Sequence, residues 1–301
     1  MKNYLDPLEQ VKLRTLMDIS TGIPEVIIGL IDGPIDFRHS AFQDSNITTV
    51  KDSQYAACRS ADGIACMHGT FIAGMLCARR ESSVSAICSD CTLLLYPIFT
   101  EGEKEGANSK NSGTHLLLPS TTPKELSNAI IETVDAGAKI INISAGLSTS
   151  SLLAYKELED AYNYAMRKGV IVVAAAGNQG NIGYRSLLNY RWVIPVAACD
   201  EQGRLTPMSN FGPSIGSRGL MAPGVNITST SPNGGYSKMV GTSFAAPFVT
   251  GAIALLWSTF PKAIVEHIMH SILMLNRIRG RAIVPPLLDG ESSLQLLRNH
   301  H

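Results

Sequence analysis

The chain has 301 residues and a mass of 32.3 kDa, with 25 Lys plus Arg balanced by 25 Asp plus Glu. Hydrophobic residues make up 45% and charged residues 17%, a globular composition that excludes a disordered chain. A formal net charge of zero leaves no basic excess for an electrostatically driven binder of nucleic acid or of a membrane surface, so neither partner is expected.

The most apolar stretches, around 169–177 and 251–257, are less than half the ~20 residues that a membrane-spanning helix needs. Residues 1–10 (MKNYLDPLEQ) show no basic region followed by an apolar one, so no secretory signal is read there. Six irregularly spaced cysteines do not make a disulfide framework. A cytoplasmic location is the expectation.

Taken in chain order, residues 11–19 read as a short N-terminal helix. Strands follow at 25–32 (EVIIGLID), 92–99 (TLLLYPIF), 139–144 (KIINIS), 170–177 (VIVVAAAG) and 192–199 (WVIPVAAC). Each is nearly continuous in apolar residues, as strands are when both faces of a parallel sheet are covered. Helices are expected at 69–80, 124–136, 151–168, 242–260 and 263–277, with Gly137 and Gly169 at the ends of the second and third. Pro261 separates the last two. The segment from Ser243 (SFAAPFVTGAIALLW) is apolar on nearly every face and should run through the interior. This alternation reads as an α/β protein with a mostly parallel sheet. Nothing marks a second domain, so 1–301 is read as one, with 1–24 as an N-terminal extension and 100–123 as an inserted polar loop. A loop of that length inside a compact domain is usually mobile or functional.

Functional residues of open α/β sheets collect at the carboxyl ends of strands. Asp32 closes the first strand in LIDGPID, His68 stands before a helix in MHGTFIAG, and Ser243 opens the buried helix in GTSFAAP. Gly241 lets the backbone turn tightly before Ser243, whose place at a helix start offers unpaired N–H groups to developing negative charge. A Ser hydroxyl needs a base, and His68 is the candidate. Asp32 would hold the imidazole in its working tautomer. Asn178, after VIVVAAAG, can donate to an oxyanion beside the Ser243 amide.

The blocks DGPID, HGTFIAG, AAAGNQG and GTSFAAP, in that order, resemble the signature blocks of subtilisin-like serine endopeptidases, over about residues 25–261. The resemblance implies a three-layer αβα sandwich with a seven-stranded parallel sheet. It also implies catalytic residues Asp32, His68 and Ser243, and an oxyanion hole from Asn178 and Ser243. Ser144, Ala145 and Gly146 on one side, and Ala175, Ala176 and Gly177 on the other, would wall the primary pocket and bind substrate. Leu147 stands where many relatives have glycine, which would narrow the entrance. Residues 184–186 would lie at the pocket floor, where Arg185 would favour a small, polar or acidic side chain.

A narrower resemblance, carried by AICSDCTLLLYPIF, GVIVVAAAGNQG, WVIPVAACD and APFVTGAIALLWSTFP, is to the cyanobactin maturation proteases. That group implies a peptide substrate, the ribosomally made precursor, and has PatA-like leader proteases and PatG-like macrocyclases. The macrocyclase carries a helical lid between its Asp and His blocks. Only 36 residues separate Asp32 from His68, which favours hydrolysis over cyclisation. Two alternatives are carried: a transpeptidase or macrocyclase using the same acyl-enzyme, and a pseudopeptidase that only binds peptide.

No cofactor or metal is expected. His267 and His270 lie three apart on one helix, but a metal site needs three or four ligands, and no segment has a compact carboxylate cluster for calcium. Cys88-Ser-Asp-Cys91 reads as a tight turn before a strand, with a local disulfide as its competitor; Cys58 and Cys66 could also be bridged. Cys77 and Cys199 read as small core residues. Asp36 reads as a loop hydrogen-bond acceptor, and the 100–123 loop, through Leu116, Leu117 and Leu118, as a substrate lid or a plain surface insertion.

Overall fold

A computed structural model describes residues 6–50, 56–84, 86–99, 120–144, 146–147, 152–182, 190, 192–279 and 282–299. The elements run α1 (Pro7–Gln10), α2 (Arg14–Ile19), β1 (Ile27–Asp32), β2 (Ile47–Thr49), α3 (Ile64–Cys77), β3 (Thr92–Pro97), β4 (Ser120–Thr121), α4 (Pro123–Asp135), β5 (Ile140–Ile143), β6 (Gly146–Leu147) and α5 (Leu152–Arg167). They continue β7 (Ile171–Ala175), β8 (Val193–Cys199), α6 (Pro213–Arg218), β9 (Leu220–Pro223), β10 (Ile227–Ser231), β11 (Gly235–Met239), α7 (Thr242–Thr259), α8 (Val265–Arg279) and α9 (Gly290–Arg298).

Seven strands form one sheet in the order β2-β3-β1-β5-β7-β8-β9, and every pairing in it is parallel. Alternate residues of each strand enter different cores. Ile28, Leu30, Ile140, Ile171 and Val173 pack with α3 and α7 on one face. Ile31, Ile141, Ile143, Val172 and Ala174 pack with α4 and α5 on the other. The unbroken apolar runs of the strands follow from this two-sided burial, and the architecture is the αβα sandwich anticipated.

Local chemistry explains several element ends. Thr122 and Glu125 form a capping box at the start of α4, with Pro123 in its first turn. The helix therefore begins one residue earlier than expected, and β4 occupies Ser120–Thr121 within what was read as loop. Gly137 and Gly169 take positive φ, +94° and +71°, as helix-ending residues should.

Other expectations need correction. The helix expected over 11–19 begins only at Arg14, because Lys12 adopts φ 52°, and a separate helix that the sequence reading missed, α1, precedes it from Pro7 after an Asp6 cap. Helix α3 begins at Ile64, so His68 lies inside it rather than before it. Strands β2 and β9, with three and four residues, are too short for a periodicity to register.

Helix α7 packs against β5, β7, β8 and β9. It is the described helix long and apolar enough by composition to cross a bilayer, and 89% of that window is buried inside the protein. Gly251 within it faces Ile87, whose Cγ2 lies 2.4 Å from where a Cβ would be.

The α4 side of the sheet is packed as tightly. A Cβ on Gly29 would lie 2.3 Å from Thr133 Cγ2, and the Thr133 hydroxyl is buried without a hydrogen bond. Gly29→Ala is therefore expected to cost about 1–3 kcal/mol by overpacking. Guanidinium unfolding should show the Gly29→Ala/Thr133→Ala double variant losing less than the sum of the two single losses. Additive losses would mean that this contact is not the cause.

Candidate active site

Asp32 is the last residue of β1, Ser144 follows β5 and Ala176 follows β7, three adjacent strands whose carboxyl ends lie along one edge. Asp32 is fully buried, and its Oδ1 accepts from the Gly33 amide at 2.6 Å and from His68 Nδ1 at 2.7 Å. A carboxylate oxygen accepts here, so Nδ1 carries a proton, and in the neutral imidazole the lone pair is the one on Nε2. His68 Nε2 is buried and makes no hydrogen bond.

Two glycines make this pairing sterically feasible. A Cβ on Gly33 would lie 2.1 Å from the Ala65 carbonyl oxygen, and one on Gly69 would lie 2.4 Å from that of Gly33. The backbone of α3 thus rests directly on the loop after β1, and His68 is carried against Asp32.

The loop is pinned from further points. Cys58 and Cys66 are joined by a disulfide, the bridge left open by the sequence, which ties the start of α3 to the chain entering it. So short a closed loop gives about 2–3 kcal/mol on the chain-entropy view. Asp36 accepts from the backbone and Nε of Arg38 through Oδ1 and from the Asn233 amide through Oδ2. It is a structural acceptor, as read from sequence. His39 accepts from the Ala41 amide at Nδ1, so its Nε2 carries the proton and donates to the Gly235 carbonyl at 2.8 Å. Both residues fasten the DGPID loop to the β10–β11 hairpin.

Ser243 is the second residue of α7, 6% exposed, following Gly241 at φ +153°. Its amide belongs to the first helical turn, which has no preceding carbonyl to bond. Phe244 beside it packs on the His68 ring, with centroids 5.3 Å apart, and on Phe71 at 4.8 Å. Asp32 and His68 are therefore bonded, and Ser243 is the chain neighbour of Phe244, which packs on the His68 ring; the Ser243 hydroxyl makes no hydrogen bond to Nε2. Catalytic hydrogen bonds are commonly long in enzymes without substrate.

Asn178 is exposed, and its Oδ1 accepts from the Thr242 amide at 2.8 Å. Because the partner is an N–H, the carboxamide orientation is set by chemistry, and Nδ2 is the end left over. It lies beside Gly241, 3.2 Å from where a Cβ would stand. Thr242 also accepts from the Gly177 amide through Oγ1, so one residue clasps the β7 end to the α7 start. Thr242 was not singled out from the sequence; its position between Gly241 and Ser243 at a helix start was the available signal.

Of the other expected residues, Ser144 is buried and accepts from Asn142 Nδ2 at 3.2 Å, with Asn142 in turn accepting from Thr250 of α7. Gly146 is in β6, paired with Ser120. Ala175 ends β7, Ala176 follows it, and Gly177 turns the chain at φ +96°. Ala145, Arg185 with its neighbours 184 and 186, residues 100–119, and the Leu147 side chain lie outside the described residues.

Cys88 and Cys91 are unbridged and buried, with the Cys91 amide donating to the Cys88 carbonyl, which is the tight turn expected before β3. Cys77 and Cys199 are buried; loss of solvation raises both thiols, that of Cys199 to about 12. Among the described residues no three His, Cys, Asp or Glu side chains group as a metal site.

Fold and residues together define a class: αβα sandwiches whose working groups line the carboxyl edge of a parallel sheet. The pattern of the Subtilase family matches residues 24–278, and the chain belongs to that family. It is 31% identical over 245 residues to the thermophilic serine proteinase of Bacillus sp. (strain AK1), covering 80% of this chain but only 54% of that protein. Among solved structures it resembles a mutant of the protease domain of PatA, with a TM-score of 0.78 at 29% identity over 93% of this chain and 98% of that one. It also resembles the prenylagaramide maturation protease PagA, with a TM-score of 0.78 at 28% identity over 95% of this chain and 98% of that one.

Burial opposes ionisation of Asp36, but the amides of Asn233 and Arg38 and the Arg38 guanidinium outweigh it and lower its pKa. A lowered carboxyl stabilises the fold above its unfolded pKa and ceases to as pH falls through the folded value. Asp36→Ala should thus cost about 1–3 kcal/mol near neutrality. Urea unfolding of both proteins should show the gap closing on acidification; a gap independent of pH would contradict this account.

Proposed function

We propose that this chain is a subtilisin-type serine endopeptidase that processes a ribosomally made precursor peptide. The observation that carries the reading is the Asp32–His68 hydrogen bond, made through Nδ1, which leaves Nε2 buried and unpartnered on a ring packed against Phe244, the residue after Ser243 in the first turn of α7.

In this mechanism His68 Nε2 takes the Ser243 proton while Oγ bonds to the scissile carbonyl carbon. Asp32 orients the imidazole and stabilises the imidazolium that results. The carbonyl oxygen, now negative, receives the Ser243 amide and Asn178 Nδ2. As the C–N bond breaks, Nε2 returns its proton to the departing amine. Water then repeats the sequence on the acyl-enzyme.

Two observations support Asn178 in this role: its Oδ1 is tied to Thr242, and its Nδ2 lies over the turn leading into Ser243. The peptide-processing part of the reading draws on PatA and PagA, proteins described as a protease domain and a maturation protease. The cytoplasmic location remains part of the proposal, and the Cys58–Cys66 bridge, of a kind rare in reducing compartments, weighs against it.

Incubation with a candidate precursor, followed by mass spectrometry, tests the reading. Two fragments whose masses sum to substrate plus one water are expected, and Ser243→Ala should yield none. Asn178→Ala should lower kcat by about 10²–10³, the size measured when such a donor is removed from a subtilisin. A product without added water would instead show transfer to an amine. Failure of a fluorophosphonate to label Ser243 in folded protein would show a pseudopeptidase.

A further inference from the structure

The loop that carries Asn178 has little apolar burial to hold it. Asn178 and Gln179 are exposed, and Ile182 is 71% exposed. Its conformation is held instead by a residue 32 positions further along the chain, Asn210, which is fully buried.

Every hydrogen-bonding valence of the Asn210 carboxamide is used on this loop. Its Oδ1 accepts from the amides of Gln179 at 3.2 Å and Asn181 at 2.9 Å. Its Nδ2 donates to the Ala176 carbonyl at 2.9 Å and to Gln179 Oε1 at 2.7 Å. Its own amide donates to the Gly177 carbonyl at 2.9 Å. These partners lie on both sides of Asn178. The set demands a group that accepts from two N–H and donates to a carbonyl at once, which a carboxamide does and a carboxylate or an alkyl group cannot.

The backbone independently shows that the space was made for this amide. Gly177 has φ +96°, and a Cβ there would lie 2.5 Å from Asn210 Nδ2. Asn210 is itself anchored to the central sheet. Thr206 donates its amide to the Ala198 carbonyl of β8, and the Ala198 amide donates to Ser209 Oγ. The Phe211 amide donates to the Asn181 carbonyl, closing the link on the far side. A continuous path of bonds thus runs from β8 through Asn210 to the loop that presents Asn178.

We infer that Asn210 is a positioning residue for the reaction: it holds the 176–181 loop so that Asn178 Nδ2 stays aimed at the oxygen that becomes negative. The inference rests on the assignment of Asn178 as an oxyanion donor and goes beyond it. A donor that must meet the oxyanion, not the ground-state carbonyl, gains its effect only if it is held in place beforehand.

The experiment is a double-mutant cycle on the full chain, with kcat and KM measured on a cleaved peptide and active sites counted by fluorophosphonate labelling. Asn210→Ala is expected to lower kcat by about 10–100-fold, the scale of a misplaced catalytic group, with KM little changed. In the Asn178→Ala background the same substitution should cost almost nothing, because the donor it positions is gone. Native kcat in Asn210→Ala, or an equal loss with and without Asn178, overturns the inference. If Asn210→Ala does not fold, Asn210→Asp replaces it in the cycle. Its kcat relative to the native protein should rise on acidification, as the carboxyl gains the proton it must donate to Ala176; a ratio independent of pH overturns the inference. If Asn178→Ala alone leaves kcat unchanged, the oxyanion assignment itself fails and takes the role of Asn210 with it.

Discussion

The contact on which the site depends is one of backbone on backbone. Helix α3 rests on the loop after β1 at Gly33 and Gly69, where added Cβ atoms would fall 2.1 Å and 2.4 Å from carbonyl oxygens. Only this approach brings His68, one residue before Gly69, within 2.7 Å of a carboxylate at a strand end. Any side chain at either glycine would push the helix out by more than a hydrogen bond can stretch. That contact sets the tautomer of the neutral imidazole, with the proton on Nδ1 and the lone pair on Nε2.

Around this contact the structure spends its buried polar groups on fixing backbone. Asp36 and His39 fasten the β1 loop to the β10–β11 hairpin, and Ser229 and Thr230 of β10 donate to the carbonyls of Phe71 and Thr70 in α3. On the other side, Thr242 clasps β7 to α7, and Asn142 joins β5 to Thr250. Each bond spans elements distant in sequence, and each is buried or partly so, where an unmade bond is costly. Helix α7, with Ser243 in its first turn, is consequently held there by neighbouring loops and along its length by apolar packing.

Particular residues show how much of this was legible beforehand. The five long strands and α7 announced themselves because both-face burial leaves unbroken apolar runs. Asp32, His68, Asn178 and Ser243 stood out because their chemistry needs glycines and helix starts beside them, and those are written locally. The start of α3 was misplaced by five residues, since Ile64–Met67 are apolar enough for either strand or helix and the deciding contacts lie elsewhere. Asn210 gave no signal at all. A lone Asn beside a turn looks like any loop residue until its four partners, some thirty positions upstream, are folded around it.

By itself, then, the sequence determined the layered α/β plan, the family and the identity of the groups that could react. Those properties reside in periodicity and in short motifs, where neighbours in the chain are neighbours in space. Only the tertiary structure decided that Cys58 joins Cys66 while Cys88 and Cys91 stay reduced, that Asn233 of the β10–β11 turn is a partner of Asp36, and that Asn210 underpins Asn178. Such facts depend on distances between segments brought together by core packing, and no local pattern of residues encodes them.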